Sequence, residues 1–303
     1  MHGKNIARGV IPPIVTPLLQ DRKLDIGGLE RLVEHVLGGG VHALFLLGTT
    51  GESTDLAYDL RRNLVARTCR QVGGRVPVLV GITDTVLDES VRMAEWAAEH
   101  GADAVVAAPP YYFAAGQPEL LSHYMKLADA LPLPLYLYNM PSQVKVSIAV
   151  PTVVELSTHP NIVGIKDSSG NIGYFNACIY ALRARPDFSI LMGTEEAMGE
   201  AVLMGASGGV AGGANMFPRL FVDLYNAAVA QDVPRVRALQ ERVMRISSKI
   251  YGVGHHNSSF VKGVKCALSL MGICSDALAA PREPFNASDR ETISRRLIEL
   301  GAL

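Results

Sequence analysis

Asn161-Ile162-Val163-Gly164-Ile165-Lys166-Asp167 is a short apolar, β-branched run that ends abruptly in charge. A strand with water on one face alternates apolar and polar residues, whereas one covered on both faces reads as near-continuous Val, Ile and Leu. Parallel sheets are covered that way. Taking residues 162–166 as one such strand, seven similar runs lie at residues 10–15, 43–47, 76–80, 104–107, 133–138, 189–192 and 208–211. Longer amphipathic stretches separate them, clearest at 27–37, 57–70, 89–99, 118–130 and 175–185. Asp88-Glu89-Ser90 and Pro118-Glu119 mark helix starts, with acidic groups near the positive end of the helix dipole. Eight strands, each followed by a helix, predict an α/β fold of the (β/α)8 TIM-barrel type. A doubly wound open sheet is the alternative. It wants fewer strands and a Gly-rich turn after the first, where this chain has Thr16-Pro17-Leu18-Leu19.

After residues 208–211 and a helix beginning near Pro218 the alternation stops, so the barrel is assigned to residues 1–230. Residues 231–303 read as a C-terminal helical extension of the same unit. Its helices fall at 234–253, 260–271 and 287–300, and its loops at 252–259 and 280–284. With 303 residues, 49% apolar and 19% charged, the chain holds enough apolar material for one large core. The formal net charge is -1 and no cluster of Lys and Arg stands out, which argues against a nucleic-acid or membrane partner and for a small-molecule site. Cys69, Cys178, Cys266 and Cys274 form no CxxC pair and read as buried thiols. Residues 1–5 lack the apolar run of a signal peptide, and no run of about 18 apolar residues occurs, so cytoplasmic residence is expected.

Reactive groups of such a barrel project from the C-terminal ends of its strands. Three ends carry polar residues that a core would reject: Gly48-Thr49-Thr50-Gly51-Glu52, Tyr138-Asn139-Met140-Pro141 and Lys166-Asp167. A lysine in the barrel mouth is desolvated, which favours the neutral amine, a nucleophile toward ketones. The plain structural alternative is an ion pair with Asp167. Tyr138 offers a phenol for proton transfer beside a cationic imine, or simply half-buried core. The Thr49-Thr50 pair between glycines offers hydroxyl and backbone donors to a carboxylate, or is an ordinary turn. His255-His256 reads as solvated loop, since adjacent histidines do not easily face one metal.

Together, Gly48-Thr49-Thr50-Gly51-Glu52-Ser53, Tyr111-Tyr112, Tyr138-Asn139-Met140-Pro141 and Gly164-Ile165-Lys166-Asp167 resemble the pattern of the dihydrodipicolinate synthase/N-acetylneuraminate lyase family, from about Gly9 to the C-terminus. The resemblance implies a class I pyruvate aldolase in which Lys166 forms a covalent imine with a 2-oxo acid. No cofactor and no metal are needed, because the protonated imine does the polarising. It implies that Tyr138 relays protons, that Thr49 hydrogen-bonds Tyr138, and that Tyr112 completes the relay by reaching a neighbouring subunit's site. Gly48, Thr50, Gly193 and Val210 would line the pyruvate pocket. The implied assembly is a homo-oligomer, a dimer of dimers forming a homotetramer.

Departures from the family pattern bear on the second substrate. Dihydrodipicolinate synthases of the family carry an arginine two residues after Tyr-Asn-x-Pro, where it binds that substrate's carboxylate; this chain has Gln143. An amide supplies neither the charge nor the bidentate fork. Tyr58, Arg61 and Thr85 depart from the family's lysine feedback site. Asp167-Ser168-Ser169-Gly170-Asn171 departs from the segment that follows the lysine in sialic acid lyases. The expectation by elimination is retro-aldol cleavage of a 2-keto-3-deoxy sugar acid or a 4-hydroxy-2-oxo acid, with Gln143, Ser168, Ser169, Asn171 and Asn215 facing the second-substrate pocket. The alternative is 4-hydroxy-tetrahydrodipicolinate synthesis from pyruvate and aspartate semialdehyde. From other classes come a non-catalytic ligand-binding barrel and a phosphosugar isomerase. The isomerase would use Gly212-Gly213-Ala214-Asn215 as its phosphate turn.

Overall fold

In the computed structural model, which describes residues 7–303, eight parallel strands pair in the order β1-β8-β7-β6-β5-β4-β3-β2. They are β1 (Gly9–Val10), β2 (Leu44–Leu46), β3 (Val78–Gly81), β4 (Ala104–Ala107), β5 (Leu135–Asn139), β6 (Ile162–Asp167), β7 (Ser189–Met192) and β8 (Gly208–Gly209). The ring closes because the chain beyond β1 reaches β2. Phe45 N–H donates to Pro12 O at 3.0 Å, and Ile14 N–H donates to Phe45 O at 2.9 Å. Residues 1–5, read above for a leader segment, lie outside the described residues.

Helices alternate with the strands: α1 (Ile26–Gly38), α2 (Tyr58–Val72), α3 (Leu87–Glu99), α4 (Gln117–Ala130), then short α5 (Pro141–Val144) and α6 (Val150–Leu156). They continue with α7 (Ile172–Ala181), α8 (Met198–Leu203) and α9 (Pro218–Val229). The chain is a (β/α)8 barrel. Its first strand is shorter than the run 10–15 because Pro12 and Pro13 have no N–H for the ladder. The eighth is also short. A Cβ at Gly208 would lie 2.0 Å from Gly9 O, so only glycine permits this approach of β8 to β1.

Side chains alternate between two cores. Phe45, Leu79, Val106, Tyr136, Tyr138 and Leu191 fill the barrel interior. Their neighbours Leu44, Leu46, Val80, Val105, Leu137 and Ile190 pack outward among the helices. The alternation breaks once, in β6. Leu135 pairs with Ile162 but Tyr136 pairs with Gly164, so Val163 is an extra residue in the ladder. Val163 therefore faces inward, Ile165 outward, and Lys166 inward again, paired in register with Tyr138.

Beyond residue 231 the chain is helical: α10 (Val233–Ile246), α11 (Ser259–Leu270) and α12 (Ala287–Glu299). The helix expected over 234–253 ends its regular course at Ile246 and widens into a π turn over Ser247–Tyr251. α10 packs on α9 and α8, and α11 packs on α12 and on the turn Gly212–Asn215. Among the described residues no helix is long and apolar enough to cross a membrane.

Candidate active site

Lys166 is 6% exposed and aims into the barrel mouth, its Nζ 3.8 Å from the centre of the Tyr138 ring and 5.4 Å from that of Phe45. The ion pair with Asp167 that the sequence left open is not what forms. Asp167, one residue on, faces the other side of the sheet. There its carboxylate accepts from Asn139 Nδ2 at 2.8 Å, Ser169 N at 3.1 Å and Ser169 Oγ at 3.0 Å. Burial raises the Asp167 carboxyl above its ordinary value against these donors.

The Tyr138 hydroxyl lies 3.1 Å from Thr49 Oγ1. Burial alone pushes this phenol up. The Lys166 charge and hydrogen bonding with Lys166, Thr49 and Ser168 outweigh it, and the phenol titrates below its ordinary value. The lysine beside the ring thus makes phenolate more accessible, which suits a proton relay.

Tyr138 and Thr49 line a cavity of about 150 Å³, together with Phe45, Gly48, Tyr111 and Gln143 among others. Thr49, Ser53, Thr54 and Gln143 also line an outer cleft of about 710 Å³, walled on its far side by Asn257, Ser258 and Arg282 of the tail. A groove of about 790 Å³ between α1 and α2 is larger. Its lining of Arg31, Glu34, Arg67 and Arg70 stands away from the strand ends, where a barrel's chemistry is carried.

Of the residues singled out from sequence, Lys166, Tyr138 and Thr49 come together. Gly48 lines the same cavity, and a Cβ there would lie 2.7 Å from the Phe45 ring. Val210 is buried in the barrel interior. Thr50 is buried within its turn. Gly193 lies against Ser168, with room for no side chain: a Cβ would be 2.0 Å from Ser168 Oγ. Tyr112 stands outside its own chain's cavity, 74% exposed and edge-on to the exposed Phe113, while Tyr111 takes the lining position.

Two expectations for the second-substrate pocket, Asn215 and Asn171, and one for the phosphate turn are corrected. Asn215 is fully buried and its amide is used up holding the chain just beyond β1. Its Oδ1 accepts from Val15 N at 3.1 Å, and its Nδ2 donates to Pro13 O at 2.9 Å and Gly212 O at 2.8 Å. Gly213, in the turn proposed for a phosphate, instead donates its N–H to buried Glu195 at 2.8 Å. Ser168, half-buried just past the end of β6, hydrogen-bonds with Tyr138. Asn171 caps α7, accepting from Tyr174 N. Among the described residues no three His, Cys, Asp or Glu side chains gather to hold a metal ion, and His255 and His256 are both exposed.

What sequence reasoning missed lies behind the site. Glu52 is fully buried against Lys265 of α11, Nζ to Oε1 2.6 Å. The available signal was Val264-Lys265-Cys266, a lysine inside an otherwise apolar helix.

Residues 6–299 match the model of the Dihydrodipicolinate synthetase family. The 4-hydroxy-tetrahydrodipicolinate synthase of Polynucleobacter asymbioticus is 31% identical over 306 residues, covering 99% of this chain and 97% of that protein. The structure of dihydrodipicolinate synthase from Bacteroides thetaiotaomicron has 56% identity and a TM-score of 0.95, covering 98% of this chain and 99% of that one. YagE, a prophage protein of the dihydrodipicolinic acid synthase family from E. coli K12 solved with pyruvate, has 28% identity and a TM-score of 0.92. It covers 98% of this chain and 99% of that one.

Proposed function

The chain belongs to the dihydrodipicolinate synthetase family of class I, pyruvate-dependent lyases, and we propose Lys166 as the lysine that forms its imine. Enzymes of this family use a lysine Schiff base with pyruvate and need no cofactor. The observation that supports the assignment is the Lys166 amine set against Tyr138, itself tied to Thr49.

In the proposed reaction the amine adds to the C2 carbonyl of pyruvate, and Tyr138 passes a proton to the oxygen that leaves as water. The iminium withdraws electrons from C3, which loses a proton to give an enamine. The enamine carbon then bonds to an aldehyde carbon, whose oxygen takes the proton, and hydrolysis frees Lys166. Run backward, the same steps cleave. The hydroxyls and backbone donors of Gly48, Thr49 and Thr50 would hold the pyruvate carboxylate.

For the second substrate, the names of the relatives support condensation with aspartate semialdehyde to 4-hydroxy-tetrahydrodipicolinate. That favours the alternative over the sugar-acid cleavage expected first from the sequence. Gln143 keeps the second reading alive, because it lines both cavity and outer cleft with an amide suited to hydroxyls, not a carboxylate. The exposure of Tyr112 and Phe113 supports a homo-oligomer in which a second copy takes Tyr112 to its site.

Borohydride with pyruvate should add a reduced-pyruvate mass to the wild type at Lys166, and Lys166→Ala should lose the adduct and at least about a thousandfold of activity. An adduct on another lysine refutes the assignment. Consumption of pyruvate with aspartate semialdehyde, set beside pyruvate release from 2-keto-3-deoxygluconate, separates the two second substrates.

A further inference from the structure

Glu52 is the residue through which the C-terminal tail grips the turn that carries Thr49. It has the left-handed φ of 57°, unusual for a side chain with a Cβ, so something must hold it there. Its N–H closes the turn on Thr49 O at 3.0 Å, and Thr16 Oγ1 pins the preceding Gly51 O at 2.7 Å. Its carboxylate is fully buried and fully engaged. Oε1 meets Lys265 Nζ at 2.6 Å, Oε2 accepts from Ala279 N at 2.9 Å, and Arg282 Nε stands 3.6 Å from Oε2. Lys265, itself 0% exposed, also donates to Ala277 O at 2.6 Å, and Arg282 pairs with Asp55 on the same loop. One buried cation therefore ties α11 and the segment around residues 277–282 to a point three residues from the hydroxyl that meets Tyr138.

We infer that Lys265 and Glu52 are positioning residues for the reaction: through them the tail sets Thr49 against the Tyr138 hydroxyl. A charged pair with no solvent contact is a costly way to stabilise a fold, since well-packed apolar residues of the same volume do as well or better. What it provides is a fixed geometry, and a shift of about 1 Å at such a site costs on the order of a hundredfold in rate. The inference rests on the proposed roles of Lys166 and Tyr138.

The test uses the full chain with Lys265→Met, and counts active sites by the borohydride–pyruvate adduct. The adduct should still form at Lys166, while kcat per counted site falls about tenfold or more and falls further than KM rises. The pH limb that responds to Thr49→Val should move up by about half to one unit, as expected when a hydrogen bond to the phenolate is lost. In a Thr49→Val background Lys265→Met should move that limb no further, because it acts through Thr49. A limb that stays in place, or two shifts that add, overturns the proposal. Lys265→Met leaves buried Glu52 with only the longer contact to Arg282, so Glu52→Gln/Lys265→Met, which removes both members of the close pair, provides the second reading. The double variant should fold and show the same limb shift. An unshifted limb, or failure to fold, shows the pair to be structural and ends the inference. If the wild type itself gives no adduct at Lys166, it is the imine assignment that has failed, and the positioning role falls with it.

Discussion

Lys166 and Tyr138 stand directly opposite each other in the register of β6 and β5, with the lysine nitrogen 3.8 Å from the centre of the tyrosine ring. Neighbours paired in register project to the same face of a sheet, and here that face is the barrel interior. The lysine thus sits against the phenol that lines the cavity, and its charge helps to hold that phenol below its ordinary value.

The low value of the Tyr138 phenol depends on its donors. Thr49→Val removes one of them at 3.1 Å. The phenolate loses more than the phenol, so the pKa rises, and the corresponding limb of the pH–rate profile should move to higher pH by about half to one unit. The loss in kcat is expected at about ten- to a hundredfold. A pH–rate series on both proteins checks this, and an unmoved limb would sink the role given to Thr49.

Gly193→Ala should damage the site without touching a reactive group. The new methyl would lie 2.0 Å from Ser168 Oγ and 2.8 Å from Asp167 O, so Ser168 must leave its hydrogen bond with Tyr138. Stability should fall by about 1–3 kcal/mol, as for overpacking elsewhere, and kcat should fall about tenfold. Urea midpoints and steady-state kinetics read the two effects separately.

Glu195 is fully buried, bonded to Tyr251 Oη and Gly213 N, and burial above all pushes its carboxyl from 4.5 up to about 7. A carboxyl with a raised folded-state value binds more protons folded than unfolded. Its contribution is therefore complete below about pH 4.5 and is lost as pH rises toward 7. The wild-type unfolding midpoint should fall between pH 5 and pH 7 by a component that Glu195→Gln lacks. Identical pH slopes in the two proteins would contradict the burial argument.

All four thiols are buried, and burial pushes Cys178 up to about 11 and Cys69, Cys266 and Cys274 up to about 12. The thiolate is the reactive form. A disulfide reagent at pH 8 should leave the native protein unmodified over minutes and count four thiols once it is unfolded. Rapid native reaction at any cysteine would show that segment to be open.

Much of this was legible in the chain itself. Near-continuous apolar runs separated by amphipathic ones require a parallel sheet covered on both sides, and eight such units close into a barrel. The strand-end residues Thr49, Tyr138 and Lys166 were visible as polar groups where a core would reject them. The inward direction of Lys166 was expected from its place at a strand end, but alternation along the strand did not give it. Strict alternation from Val163 inward would turn Ile165 inward and Lys166 out, among the helices. The extra residue opposite the Leu135–Tyr136 step reverses that parity, and Gly164, where a Cβ would lie 2.6 Å from the Tyr136 ring, makes the irregularity possible. Nor could the sequence say that Asn215 would be consumed in holding the chain beyond β1, or that Glu52 would find Lys265, 213 residues away. Local pattern determines which residues end strands, because periodicity acts over a few residues. Which of them meet depends on pairing register and on contacts across the closed barrel, and only the tertiary structure decides those.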